Sequence, residues 1–182
     1  LQSTIRTCSS RNVAEIRSRR IMKVNLRTQI NDREIDLEVE PRLLLSDLLR
    51  EHLDFTGTHV GCSYGVCGAC TVIIDGKPAR SCLTLAIQAN NCSVRTIEGV
   101  ATSSTFDRVS SAFHQEHGLQ CGFCTPGIIC SIVALKESGE KIAEEDIDKV
   151  VDGHLCRCTG YVNIRKAAKK AVGIYQGDEN AR

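Results

Sequence analysis

Apolar residues alternate with polar ones from Lys23, stop at Asn31-Asp32, and resume at Ile35, Leu37 and Val39. A period of two on both sides of a turn-forming pair predicts a β-hairpin, which Pro41 ends. Leu44, Leu45, Leu48 and Leu49 follow at helical spacing, so a helix is expected before the loop from Thr56 to Gly68. A second hairpin is predicted from 71–74 and 77–80, joined by Asp75-Gly76. Leu83 to Ala89 is expected to form a short helix and Val94 to Ile97 a last strand.

After Gly99 the period becomes helical, and helices are predicted over 105–116, 126–138, 144–151 and 163–174. Thr125-Pro126 reads as an N-cap followed by proline at the first helical position, where the missing N–H costs nothing. The pattern therefore predicts an α+β chain in four parts. These are an extension over 1–21, a small mixed-sheet domain over 22–98, a helical domain over 99–174 and a tail over 175–182.

Composition narrows the function. A 42% hydrophobic content in 182 residues allows one good core or two modest ones. No apolar run approaches the roughly 20 residues needed to span a bilayer. The formal charge is +1, and no basic stripe is interleaved with the seven aromatic residues, so nucleic acid is not an expected partner. The first 21 residues set Arg6, Arg11, Arg17, Arg19 and Arg20 among serines and threonines, with Glu15 the sole acid, as in a transit peptide or a disordered tail. Ser18 to Lys23 is similar to a twin-arginine signal but lacks the apolar region that should follow. The globular pattern begins beside Met22, the only methionine, which fits an upstream extension or a misplaced start. This segment is expected to lie against a partner subunit.

Eleven cysteines at C-x-x-C and C-x-C spacing, odd in number, fit a disulfide scaffold badly and point to metal in a reducing compartment, hence a cytoplasmic protein. Cys62, Cys67 and Cys70, closed by Cys82 after the Asp75-Gly76 turn, have the plant-type ferredoxin spacing of a 2Fe-2S cluster. Gly61, Gly65, Gly68 and Ala69 let backbone N–H groups approach the sulfurs. Zinc favours paired knuckles over such a three-cysteine loop. The second set pairs Cys121 and Cys124 with Cys156 and Cys158, and taken alone it describes a zinc site as well as a cluster. Neither set has the histidines of a Rieske centre. Both parts of the second set precede a predicted helix, so two helix N-termini are expected to face one anionic centre. Two oxidised clusters would carry about −2 each, bringing the loaded chain to about −3.

Together the motifs Gly61-Cys-Ser-Tyr-Gly-Val-Cys-Gly-Ala-Cys70-Thr-Val72, Gln120-Cys-Gly-Phe-Cys-Thr-Pro-Gly127 and Leu155-Cys-Arg-Cys-Thr-Gly-Tyr161 resemble the small iron-sulfur subunit of the molybdenum hydroxylases, the xanthine dehydrogenase and aerobic carbon monoxide dehydrogenase family. The resemblance runs from about Met22 to Val172. It implies a β-grasp, plant-type ferredoxin domain followed by a four-helix bundle, with the first cluster near the surface and the second buried. It further implies a large partner subunit with molybdopterin and a medium one with FAD, in a heterotrimer or its dimer. Electrons would pass from molybdenum through the bundle cluster and then the ferredoxin-type cluster to flavin, with Gln120 and Cys158 contacting the pterin. No residue of this chain is then expected to be catalytic. The rival reading is a free two-cluster ferredoxin serving several enzymes, for which a strongly acidic surface is expected.

Cys8, Cys92 and Cys130 remain, Cys130 as a small buried hydrophobe and the other two as incidental surface thiols. His59 and His154 lack an acidic or serine partner at motif spacing, so solvated or supporting roles are expected. Lys166, Lys169 and Lys170 read as a solvated helix face that could also meet an acidic partner surface.

Overall fold

The computed structural model describes residues 22–175. The expectations for residues 1–21, including their contact with a partner, and for Cys8 lie outside these. Five strands come first: β1 (Val24–Ile30), β2 (Arg33–Val39), β3 (Thr71–Ile74), β4 (Lys77–Arg80) and β5 (Ser93–Arg95). They form one mixed sheet in the order β2-β1-β5-β3-β4, in which β1 and β5 are parallel and the other neighbours antiparallel. The hairpins turn where expected. Asn31, Asp32, Asp75 and Gly76 all have positive φ, which matches the right-handed twist of the strands they join.

Leu45, Leu48 and Leu49 pack beneath the sheet, but their helix is brief: α1 (Leu45–Asp47) widens at once into a π turn over Leu48–His52. The expected helix over 83–89 is two 3-10 turns instead, Ser81–Leu83 and Ala86–Ala89. Between them the chain is extended, because Leu45 N donates to Thr84 O and Ala86 N to Leu43 O. Those bonds take the backbone groups a continuous helix would need. The last strand also ends early. Asn31 accepts from Thr96 N and donates to Thr96 Oγ1, so the chain turns away and Ile97 opens α2 (Ile97–Val100).

Four longer helices follow, α3 (Ser104–Gln115), α4 (Thr125–Glu137), α5 (Glu144–Asp152) and α6 (Tyr161–Val172). Each lies within two residues of its sequence-predicted bounds. The cap of α4 is Cys124 and not Thr125, since Cys124 O already accepts from Ile128 N. Residues Gly127 to Ala134 are all buried, because α4 lies on β3 and β4 on one side and against α3, α5 and α6 on the others. β3 joins the two halves of the molecule: Val72 enters the core with Leu26 and Leu48, while Ile73 enters the helical core with Ile128, Ile132 and Ile164. The period of two sends successive side chains of one strand to opposite faces. None of the helices among the described residues is long and apolar enough to cross a membrane.

Candidate metal centres

The loop from Cys62 to Cys70 is shaped by three positive-φ residues, Ser63, Gly65 and Gly68. They curl the backbone so that its N–H groups face inward. Cys67 N donates to Cys62 Sγ at 3.5 Å. With further help from the Tyr64 N–H, that bond pulls the Cys62 thiol down to about 6, well inside the thiolate range. Gly61 borders the same sulfurs, since a Cβ there would stand 3.2 Å from Cys67 Sγ. Cys82 arrives from the far side of the β3–β4 hairpin. Its turn is tied to the loop by Ser81, whose N–H and hydroxyl both donate to Cys70 O, at 3.2 and 2.7 Å.

The second site is assembled from the starts of two helices. Cys121 and Cys124 precede α4, and Cys156 and Cys158 lie just before α6. Gly122 and Thr159, both at positive φ, bend the two segments. Gly160 N donates to Cys156 Sγ at 3.4 Å, and Cys156 N donates to the Tyr161 hydroxyl at 2.8 Å. The Phe123 N–H lowers the Cys121 thiol.

In both sites the thiols meet two by two. Cys62 contacts Cys67 and Cys70 contacts Cys82; Cys121 contacts Cys158 and Cys124 contacts Cys156. Each site has a buried thiol that resists ionisation. Burial and then Cys70 push Cys82 up to about 11, while burial and then Cys156 push Cys124 up to about 12. Gathering such thiols as thiolates requires positive charge from a metal. All the cysteines among the described residues are free. Among the described residues no group of three or more His, Cys, Asp or Glu is placed to hold a single metal ion. This donor set fits a two-iron cluster, with one pair of sulfurs at each end.

The structure thus brings together all eight expected cysteines in their two sets. Within this chain alone the helical site is no deeper than the other, since Cys121 is exposed and Cys158 half-buried. Gln120 is exposed beside it and donates from Nε2 to Cys158 O at 3.4 Å.

The leftover residues are placed as well. Cys130 is fully buried in the core, and burial pushes its thiol up to about 12. Cys92 is half-buried, its thiol turned toward Asn90 O. His59 stacks on Phe123, with Nδ1 2.8 Å from Phe123 O. His154 is not solvated: it is 2% exposed and burial depresses its pKa to about 4, so the ring is neutral. Thr71 and Ser131, near its Nε2, come from elsewhere in the chain, so motif spacing could not show them, while Val150, whose carbonyl accepts from Nδ1, lies one helical turn back. Lys169 pairs with Glu144 and Asp148, and Lys170 with Glu116, which removes most of the basic face read from the sequence. Tyr161 stood in the sequence motif without a role; its hydroxyl supports Cys156.

The family model described as the 2Fe-2S iron-sulfur cluster binding domain matches residues 28–95, and the one described as the 2Fe-2S binding domain matches residues 96–169. The chain is 48% identical over 143 residues to caffeine dehydrogenase subunit gamma of Pseudomonas sp. (strain CBB1), covering 77% of this chain and 86% of that one. It is 40% identical over 151 residues to the nicotine 6-hydroxylase small subunit of Paenarthrobacter nicotinovorans, covering 83% and 91%. Among solved structures it is similar to quinoline 2-oxidoreductase from Pseudomonas putida 86, with a TM-score of 0.74 and 42% identity over 82% of this chain and 93% of that chain.

Proposed function

Since this chain belongs to the small iron-sulfur subunits of the molybdenum hydroxylases and serves there in electron transfer, we propose that its two cysteine sets each ligate one 2Fe-2S cluster. Cys62, Cys67, Cys70 and Cys82 hold one, and Cys121, Cys124, Cys156 and Cys158 the other. The two-by-two grouping of the thiols supports this reading, because two irons need two pairs of sulfurs. Bound there, each cluster would supply a carrier for one electron.

The chain's own residues prepare the sites. Burial of Cys70, Cys82, Cys124 and Cys156 excludes water, while the amides of Cys67 and Gly160 donate to ligand sulfurs. Such hydrogen bonds favour the more negative, reduced state. No residue here handles substrate.

The same reading assigns the parts 22–98 and 99–174 to a β-grasp ferredoxin domain and a four-helix bundle. Molybdopterin belongs to a large partner subunit and FAD to a medium one, in a heterotrimer or its dimer in the cytoplasm. Electrons enter at the helical site and leave from the loop site toward flavin. Cys158 and Gln120 form the entry: a ligand sulfur still accepts hydrogen bonds, and the Gln120 amide beside it has an oxygen to spare for a pterin amino group. The exposure of Cys121 suits a surface that a partner covers.

Electron paramagnetic resonance of Cys67→Ser and Cys124→Ser tests the ligand sets. Each variant is expected to lose one of two 2Fe-2S signals and keep the other. Loss of both signals from well-folded Cys67→Ser overturns the assignment.

A further inference from the structure

The sheet half and the helical half meet along the two ligand segments themselves. Leu155 N donates to Cys67 O at 2.9 Å, so one hydrogen bond joins a residue of the first set to the neighbour of Cys156. Small residues make this approach possible. A Cβ on Gly68, which has φ +75°, would stand 2.7 Å from Gly153 O and 2.6 Å from the His154 ring, and a Cβ on Gly127 would stand 2.4 Å from Gly68 O.

Arg80, the last residue of β4, reaches into this seam. Its Nη2 donates to Gly153 O at 2.7 Å, on the helical side, and its Nη1 donates to Thr71 Oγ1, on the sheet side. Thr71 is 2% exposed, and its hydroxyl donates in turn to Gly68 O at 2.6 Å. His154 completes the contact. Its Nδ1–H donates to Val150 O at 2.8 Å, and its Nε2 lies 3.4 and 3.3 Å from the hydroxyl oxygens of Thr71 and Ser131. Among the described residues no carboxylate forms an ion pair with Arg80. A half-buried guanidinium without an acid is costly, unless its charge is answered by something else nearby.

We propose that Arg80 is a positioning residue for electron transfer between the two sites: its fork holds the Gly153–Leu155 segment, and with it Cys156, against the loop that carries Cys67 and Cys70. The proposal rests on the ligand sets given above. One electron passes from one site to the other, with no bond made or broken and no proton moved, so the chain governs the step through distance and charge alone. A planar fork with two donors satisfies acceptors on both halves at once, whereas a lysine ammonium is a single point that reaches one of them. The uncompensated charge of Arg80 also favours the reduced, more negative state at both sites.

The test uses the assembled enzyme reduced with dithionite, so that both clusters are paramagnetic and split each other's resonance lines at low temperature. Arg80→Lys and Arg80→Met are expected to retain the iron content and both sets of g-values while the splitting narrows or disappears. Both midpoint potentials should fall in Arg80→Met and hold in Arg80→Lys, a difference that a purely structural role would not produce. If Arg80→Met fails to fold, the splitting in Arg80→Lys carries the test. Unchanged splitting in Arg80→Lys overturns the proposal, and so does loss of a cluster from that variant, since a fork that only positions is not needed for ligation. Wild-type enzyme without two 2Fe-2S signals would instead overturn the ligand sets, and the role of Arg80 with them.

Discussion

In the sheet half, three of the four site cysteines lie on one loop whose curl is set by the positive φ of Ser63, Gly65 and Gly68. In the helical half they come as two short pairs, and only the packing of α4, α5 and α6 brings Cys124 to Cys156. The first site is therefore encoded mostly in local backbone conformation, the second in a hydrophobic core. A site of the first kind should withstand loosening of distant packing, while one of the second kind should fail with it.

The largest expected effect separates the sites outright. Cys67→Ser or Cys124→Ser should each remove about half the iron from the loaded protein, because a cluster of this type needs four cysteines. Iron and sulfide analysis beside the resonance spectra measures this, and a variant that kept all its iron would break the division into two independent sets.

The next effect bears on packing. Ile132→Ala empties a fully buried position in the helical core and should cost about 2–5 kcal/mol. Denaturant unfolding of the apo-protein gives the loss. In loaded protein the Cys121 to Cys158 site is expected to lose its cluster before the loop site does. Simultaneous loss would mean that the loop depends on the helical core as much as its counterpart. Gly127→Ala sharpens the comparison at the seam, where the added methyl meets the carbonyl oxygens of Gly68 and Ala69. It should cost about 1–3 kcal/mol as overpacking and perturb the spectra of both sites.

Gln120→Ala removes a side-chain amide but no ligand. Both clusters should assemble with unchanged spectra, and the thermal midpoint should hold. Loss of one hydrogen bond to the cofactor, worth about 0.5–1.5 kcal/mol, should slow cluster reduction by substrate by up to about tenfold and leave reduction by dithionite unaltered. Equal slowing with both reductants would remove Gln120 from the electron entry. The smallest effect is expected at Lys169, whose pairs with Glu144 and Asp148 lie on the helical surface. Lys169→Ala should cost no more than about 1 kcal/mol in a thermal melt. Weakened subunit association in that variant would restore a docking role to this face.

The features legible along the chain are local in origin. Alternation gave the two long strands, Asn31-Asp32 and Asp75-Gly76 gave the hairpin turns, and the helical period placed α3 to α6, because each depends on neighbours in the chain. The cysteine spacings are local in the same way. Tertiary structure decided the rest. Strand β5 stops at Arg95 because Asn31, from another hairpin, captures Thr96. The segment after Cys82 is extended because Leu43 and Leu45 take its backbone groups. His154 is neutral and buried, and Arg80 spans the seam, because Thr71, Ser131 and Gly153 converge there from separate elements. Apart from Thr71, which faces Arg80 across the β3–β4 hairpin, none of these partners lies within a turn or a hairpin of the residue it serves. Periodicity describes which face of an element is apolar, and it carries no information about which polar group will meet it from the other side of the fold.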